Sequence, residues 1–504
     1  MLKSNGAIKI NSNDNVAVAF EEIPEGTLVF DVTSTCTIPA GHKIALSTIN
    51  PAEQVIKYGY TIGSATASIK PGDHVHTHNL KTNLDGIIEY SYNPVEVASE
   101  TIPINKMKKQ QNTFMGYKRA NGKIGIRNEI WIINTVGCVN KIAEKIAQEA
   151  NYQFKNSIDK GLIDDVVTFV HPYGCSQLGD DLVYTQNVLK GLVNHPNAAG
   201  VLVLGLGCEN NHIDEFKVVL ESWDDNRVKF LNVQDVQDDI ESGLDLLKNL
   251  AEHAETFKRE PVPVGELIIG LKCGGSDGLS GITANTLVGN LSDTIIANGG
   301  SCLLTEVPEM FGSETLLMNR CINEDIFKKS VSLINNFKDY FIRHNQTIYE
   351  NPSPGNKEGG ISTLEDKSLG CTQKGGFSSV VDVLDYGETV KCSGLNLLQG
   401  PGNDIVAVTN LTVSGAHMIL FTTGRGTPLG GPVPTVKISS NTSLAKNKPH
   451  WIDFDAGVLV HDADSEKVNQ CFFDYIVKVA EGEKTQNELN GYKEIAIFKD
   501  GVTL

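Results

Sequence analysis

The sequence predicts a multidomain α/β protein that carries a small all-β module at its front, and three observations lead there. Residues 1–95 show two-residue alternation of apolar and polar side chains, punctuated by turn residues, with no helical periodicity of useful length. From Tyr117 onward, apolar runs of strand length alternate with amphipathic segments, the pattern of a parallel sheet with crossover helices. The chain has 504 residues, too many for one hydrophobic core, so about three domains are expected.

In the β module, alternation is clear in Asn15-Val16-Ala17-Val18-Ala19 and in Val55-Ile56-Lys57-Tyr58. Turns fall at Ile23-Pro24-Glu25-Gly26, Pro39-Ala40-Gly41 and Lys70-Pro71-Gly72-Asp73. Residues 96–116 are polar, contain Pro103 and Lys106-Met107-Lys108-Lys109, and read as a linker. An α/β unit then spans 117–255, with strands at Trp131–Ile133, Val166–Val170 and Val201–Leu206. Helices follow each strand: one capped by Asn140, one over Leu178–Leu192, and one around Ile213–Leu220. The charged, proline-bearing stretch Asn249–Pro263 reads as a second boundary, and a third unit spans 256–504. Its strands fall at Leu267–Leu271, Ser301–Leu304 and His417–Phe421, while Tyr349–Gly360 is irregular.

A formal net charge of −18 argues against a nucleic-acid partner, because phosphate binding needs a basic face. No run approaches ~18 uninterrupted apolar residues, so no membrane span is expected. The start, Met1-Leu2-Lys3-Ser4-Asn5-Gly6, lacks the apolar core of a secretory signal. Ten cysteines are too sparse for a disulfide scaffold, and reduced thiols in the cytoplasm are expected.

Four predicted strands stop at a cysteine in a glycine-rich turn: Cys138, Cys175, Cys208 and Cys273. Ligands of open α/β sheets sit outside the carboxyl ends of the strands. Thiols delivered there suit soft-metal ligation, either as an iron–sulfur cluster or as part of a mononuclear iron site; the bland alternative is packing. His171, in His171-Pro172-Tyr173-Gly174-Cys175, joins the candidate ligands, and Glu306, in Leu304-Thr305-Glu306-Val307-Pro308-Glu309, offers oxygen for Fe²⁺ or Mn²⁺. His74, His76 and His78 alternate, so on a strand they share one face, where they either carry protons or form a solvated polar face. Lys57 can supply a cation for a carboxylate. The loop Cys273-Gly274-Gly275-Ser276-Asp277-Gly278, before a helix starting near Ile282, suits an anion such as a substrate carboxylate. Arg127 and Arg425, in glycine-flanked turns, can clamp a carboxylate with two parallel hydrogen bonds. Gly205-Leu206-Gly207-Cys208 lacks the third glycine of a dinucleotide fingerprint, so a nicotinamide site is a weak reading.

Taken together, Gly122 through Glu129, Thr135 through Asn140, His171 through Asp181, Gly205 through Asn211 and Cys273 through Asn285 resemble the altronate/galactarate dehydratase family. Residues 1–95, with Gly41-His42-Lys43 and the His74/His76/His78 segment, are similar to its N-terminal SAF-type β-clip module. The stretches Asn351–Lys357, Leu364–Cys371 and Ala496–Leu504 fit the altronate branch more closely. The resemblance implies a second α/β domain over 117–255 and a Rossmann-like C-terminal domain over 256–504. It further implies a hydro-lyase that dehydrates D-altronate to 2-dehydro-3-deoxy-D-gluconate, needs ferrous iron or manganese, and associates as a homodimer. On this expectation His76 or His78 moves the proton, assisted by Lys57. Arg127, Ser276, Asp277, Asn285 and Arg425 bind substrate, and Cys138, His171, Cys175, Cys208, Cys273 and Glu306 supply the metal ligands.

Overall fold

The computed structural model describes residues 1–95, 113–461 and 463–501. The front module is built of β-strands, as expected. A five-stranded antiparallel sheet runs in the order Leu2–Ser4, Ala7–Lys9, Val16–Ala19, Lys43–Ala45, His74–Val75, and a three-stranded sheet joins Leu80–Lys81, Tyr60–Ala65 and Gln54–Lys57. Their inward faces close a core of Val16, Ala45, Ile49, Val55, Ile62, Ile69 and Val75, to which Leu369 of the C-terminal region adds its side chain.

Most of the expected linker, residues 96–112, lies outside the described residues. Its last positions open the strand Thr113–Lys118, which pairs antiparallel with Arg259–Pro263. Phe114 and Val262 are buried in that pair, so apolar burial sets the structure there despite the polar neighbourhood. Pro261 and Pro263 are tolerated because Arg259–Pro263 is an edge strand.

Between these two strands lies a four-stranded parallel sheet, ordered Val166–Phe169, Glu129–Asn134, Ala198–Gly205, Val228–Asn232. Glu129–Asn134 is buried along its whole length, because helices cover both faces. Ile130 and Ile132 pack with Ala143, Ile146, Leu247 and Leu250. Trp131 and Ile133 face the other way, into a core that also holds Val188 and Leu189 and, from the C-terminal unit, Leu303, Val408 and Phe421. The two α/β units therefore share one apolar core.

The C-terminal unit carries a seven-stranded parallel sheet in the order Val380–Leu384, Gly394–Leu398, Ser301–Leu304, Ile268–Cys273, Met418–Thr423, Thr435–Ser439, Phe454–Asp455. Ile268–Cys273 comes first in the chain yet lies in the middle, flanked by the second strand on one side and the fifth on the other. This is a topological switch point, where the crossovers diverge and leave a crevice at the carboxyl end. Cys273 is the last residue of that strand.

The β module docks over this region through backbone-to-backbone contact. A Cβ at Gly278 or at Gly360 would overlap the carbonyl oxygen of Gly41. Only glycine permits so close an approach.

Candidate active site

Around the end of the central strand, buried charges and thiols collect. The Cys273 Sγ lies 3.3 Å from the Cys371 Sγ and 3.2 Å from a Glu309 carboxylate oxygen, and Cys371 is 3.1 Å from the same oxygen. Among the described residues, these three form the one group of three metal-ligating side chains whose donor atoms all lie within 4.8 Å of one another. Three lysines surround them. Lys374 Nζ donates to Cys273 Sγ at 2.8 Å and to Glu306 at 3.2 Å, Lys367 Nζ is 2.8 Å from Glu309, and Lys272 pairs with Glu306 and, at 2.9 Å, with Asp404. Burial and the Glu309 charge push the Glu306 carboxyl up, while donors from Lys272, Lys374 and the Cys273 backbone N–H pull the other way. Burial works against Glu309 too, but Lys367, Lys272 and Lys374 overcome it and hold its carboxyl well below the usual range. The Cys371 thiol is pushed well up by its hydrogen bond with Cys273 and by burial. Glu306 itself stands at a left-handed backbone angle, φ 68°, a strained conformation for a side chain with a Cβ and one concentrated at functional sites.

The helix Leu364–Cys371, capped by the Thr363 hydroxyl and buried along all its length, links this cluster to the β module. Lys367 and Cys371 face the cluster. Asp366 reaches the β module, where one carboxylate meets two ammoniums, Lys43 and Lys57, each at 2.9 Å. Burial and the neighbouring Lys57 charge bring Lys43 down to about 8, with Asp366 opposing. Lys57 moves the other way, because Asp366 and Tyr58 outweigh its burial.

Beside Lys43 four imidazoles gather. The strand ends at Val75, and His76 opens a turn in which its N–H donates to Asn79 Oδ1 at 2.9 Å. The shared strand face expected for His74, His76 and His78 is therefore replaced by a turn, because Asn79 draws the backbone round. The rings still cluster. His74 lies 5.7 Å from His76 and 5.3 Å from His78, and His42 lies 5.0 Å from His74 and 4.8 Å from His76. His42 Nε2 meets the Glu358 carbonyl oxygen at 3.1 Å and His76 Nδ1 meets the Ser362 hydroxyl at 3.0 Å, so the imidazoles sit on the seam between module and C-terminal unit. Burial, with the positive charges of neighbouring groups, brings His74 down to about 4 and His76 to about 3. Both are neutral at neutral pH and able to accept a proton.

Several sequence candidates have other employment. Arg127 is buried and donates to Glu488, the carbonyl oxygens of Ile126 and Val479, and that of Glu483, which uses all its N–H groups. It ties the second α/β unit to the C-terminal segment and has no donor left for substrate. In the Ser276–Asp277 loop, the Asp277 carboxylate accepts from Leu279 N–H, Ser280, Ser440 and Asn441, so the anion cradle is filled by the chain's own carboxylate. The Ser276 carbonyl oxygen is taken by Asn356, and Asn285 bridges the Gly370 carbonyl oxygen and the Thr422 hydroxyl. His171 spends both ring nitrogens on backbone, Nε2 on the Asn134 carbonyl oxygen and Nδ1 on Tyr173 N–H, leaving no lone pair for a metal. Arg425 is half-exposed, pairs with Glu358 at 2.9 Å, and lines a cleft with Gly41, Asp277 and His461. Cys273 and Glu306 meet, whereas Cys138, Cys175 and Cys208 follow strands of the other parallel sheet. The sequence reading missed His42, Lys43, Asp366 and the three cluster lysines as chemical groups. Glu309 and Cys371 lie 36 and 98 residues from Cys273, and no local pattern joins them to it.

Family models match most of the chain. The altronate/galactarate dehydratase SAF domain covers residues 5–83, the D-galactarate dehydratase/altronate hydrolase second domain covers 116–255, and the D-galactarate/altronate dehydratase C-terminal domain covers 264–503. The chain is 53% identical over 502 residues to the altronate dehydratase of Bacillus subtilis (strain 168), covering 99% of each chain. It is 53% identical over 501 residues to the altronate dehydratase of Escherichia coli (strain K12), again covering 99% of each. It is 30% identical over 507 residues to the galactarate dehydratase (L-threo-forming) of Escherichia coli (strain K12), covering 97% of this chain and 96% of that one. The chain belongs to the altronate/galactarate dehydratase family.

Proposed function

We propose that this chain is a hydro-lyase that dehydrates D-altronate to 2-dehydro-3-deoxy-D-gluconate. The observation that supports it most is the seam itself: neutral imidazoles and a lysine lowered to about 8 stand beside a buried, lysine-rich cluster. The C2 proton of a sugar acid is weakly acidic, and its removal leaves a dianionic enediolate that needs positive charge close by. His76 or His78 takes that proton. The C3 hydroxyl leaves with a proton from a neighbouring acid, for which Lys43 is the candidate, and the enol becomes the keto acid. Arg425, released from Glu358, takes the substrate carboxylate.

Cys273, Glu309 and Cys371 would hold ferrous iron. Two thiolates on one ion with bonds of about 2.3 Å stand roughly 3.7 Å apart in tetrahedral geometry, close to the 3.3 Å between these sulfurs. Charge fits as well: three ammoniums already face the carboxylates of Glu306, Glu309 and Asp404, so a dication is balanced by ionising the two thiols. Thiolate ligands favour iron over manganese. Bound iron would supply Lewis-acid stabilisation of the enediolate. The reading carries with it a cytoplasmic homodimer, which sedimentation of purified protein tests.

A keto-acid assay with altronate beside galactarate, with and without ferrous iron under reducing conditions, decides the matter. Iron-stimulated keto-acid release from altronate is expected; release from galactarate alone, or from neither, overturns the reading.

A further inference from the structure

Three of the glycine-flanked cysteines form a pattern of their own on the four-stranded sheet. Gly137-Cys138, Gly174-Cys175 and Gly207-Cys208 follow Glu129–Asn134, Val166–Phe169 and Ala198–Gly205, which are three adjacent strands. Each therefore emerges at the same carboxyl edge. The loops lock together: Gly137 N–H donates to the Tyr173 carbonyl oxygen at 2.8 Å, Asn211 N–H to the Gly174 carbonyl oxygen at 3.0 Å, and Asn211 Nδ2 to the Thr135 carbonyl oxygen at 3.1 Å. Glu209, between the last cysteine and Asn211, accepts from the Thr135 hydroxyl at 2.6 Å. Asn210 Oδ1 accepts from Ser176 N–H at 2.9 Å and lies 3.4 Å from Cys175 Sγ. The turns around Cys175 are specialised: at Gly174, φ 103°, a Cβ would overlap the Thr135 carbonyl oxygen, and Ser176 stands at a left-handed φ of 55°. All three thiols are free and solvent-reachable, with Cys138 and Cys208 exposed.

Three free thiols on turns tied to one another by hydrogen bonds and delivered to one sheet edge offer soft donors to a metal group. The spacing excludes one ion held by all three. Two thiolates on one ion can stand at most about 4.6 Å apart with bonds of about 2.3 Å. The three edge sulfurs do not form a group within 4.8 Å of one another, so at least one pair is too wide for a single ion. A multi-iron cluster bridges wider gaps, because each thiolate binds a different iron. Among the described residues no lysine or arginine nitrogen bonds these sulfurs as Lys374 does Cys273; Cys208 instead meets the Gln234 amide at 3.5 Å. The helices Asn140–Gln153, Asp180–Val193 and Ile213–Leu220 all begin just after the cysteine turns, so their positive ends face an anionic cluster.

We propose that Cys138, Cys175 and Cys208 hold an iron–sulfur cluster of the four-iron type, with one iron left without a protein ligand. The site is separate from the buried Cys273, Glu309 and Cys371 group, and the proposal stands whether or not altronate is the substrate. Loading is ligand exchange: three S–H bonds give way to three S–Fe bonds, and the protons pass to the departing thiolates of the carrier. No electron moves.

The test offers the full-length reduced protein, without oxygen, the four-iron cluster carried by a small monothiol. The expected result is stable visible absorption, about four iron and four sulfide per chain, and a paramagnetic resonance signal on reduction. Cys138→Ser, Cys175→Ser and Cys208→Ser, singly and combined, should lower cluster content at least tenfold. A Cys273→Ser, Cys371→Ser double variant should keep it. Circular dichroism identifies any variant that fails to fold, and the single substitutions at exposed Cys138 and Cys208 carry the test if the combined one does. Wild-type protein that takes up no sulfide, or a cluster that survives the edge substitutions and is lost with Cys273 and Cys371, overturns the proposal.

Discussion

At the level of single residues, Asp366 carries more than its size suggests. It is fully buried, it is shared by Lys43 and Lys57, and its carboxyl is held far below the ordinary range because those two ammoniums outweigh the cost of burial. Asp366→Asn leaves two buried ammoniums without a counter-charge. A loss of about 3–5 kcal/mol in unfolding free energy is expected by denaturant titration, the usual result of breaking one side of a buried ion pair. His76 makes a different kind of test. His76→Asn keeps a polar group near the Ser362 hydroxyl but removes the titrating nitrogen, so turnover should fall ~10²-fold or more with unfolding free energy little changed. Near-normal turnover removes His76 from proton transfer and leaves His78 or Lys43.

At the level of elements, the histidine turn and the helix Leu364–Cys371 explain what the sequence revealed and what it concealed. The parallel strands were legible because both of their faces are buried, so each is a nearly unbroken apolar run. Cys273 and Glu306 were legible because such strands deliver their last residues to one edge. The lysines were not: Lys272, Lys367 and Lys374 look like ordinary surface residues until tertiary packing buries them. Arg127 was misread for the same reason, since its partner Glu488 lies 361 residues away and no local signal joins them. The histidine turn also sets a pH dependence. His74 and His76, lowered to about 4 and about 3 by burial and nearby positive charge, bind fewer protons folded than unfolded between those values and the ordinary 6.5. Stability therefore falls as pH drops below about 6.5. Melting temperature should decline from pH 7 to pH 5, and a His74→Gln, His76→Asn double variant should show a shallower decline over that window.

At the scale of the whole molecule, three separate stretches of chain build one buried site. The end of the central strand brings Lys272 and Cys273, the turn after Leu304 brings Glu306 and Glu309, and the segment pressed against the β module brings Lys367, Cys371 and Lys374. With Asp404, three ammoniums meet three carboxylates beside the two sulfurs, and the hydrogen bond with Cys273, together with burial, holds the Cys371 thiol protonated. A ferrous ion bound by both sulfurs needs both as thiolates, so the Cys371 proton must leave. Ferrous affinity should therefore rise with pH below the thiol range, about tenfold per pH unit for each proton released per iron. Calorimetry in buffers of different ionisation enthalpy reads the proton count, and the Cys138→Ser, Cys175→Ser, Cys208→Ser background keeps the other thiols from contributing. In that background iron should also shield Cys273 and Cys371 from alkylation. Alkylation of Cys273 and Cys371 that proceeds unchanged in the presence of iron would remove both sulfurs from the ligand set. No release, with no shielding, would place the iron on His74 and His76, which burial keeps neutral at neutral pH and which have no proton to give up.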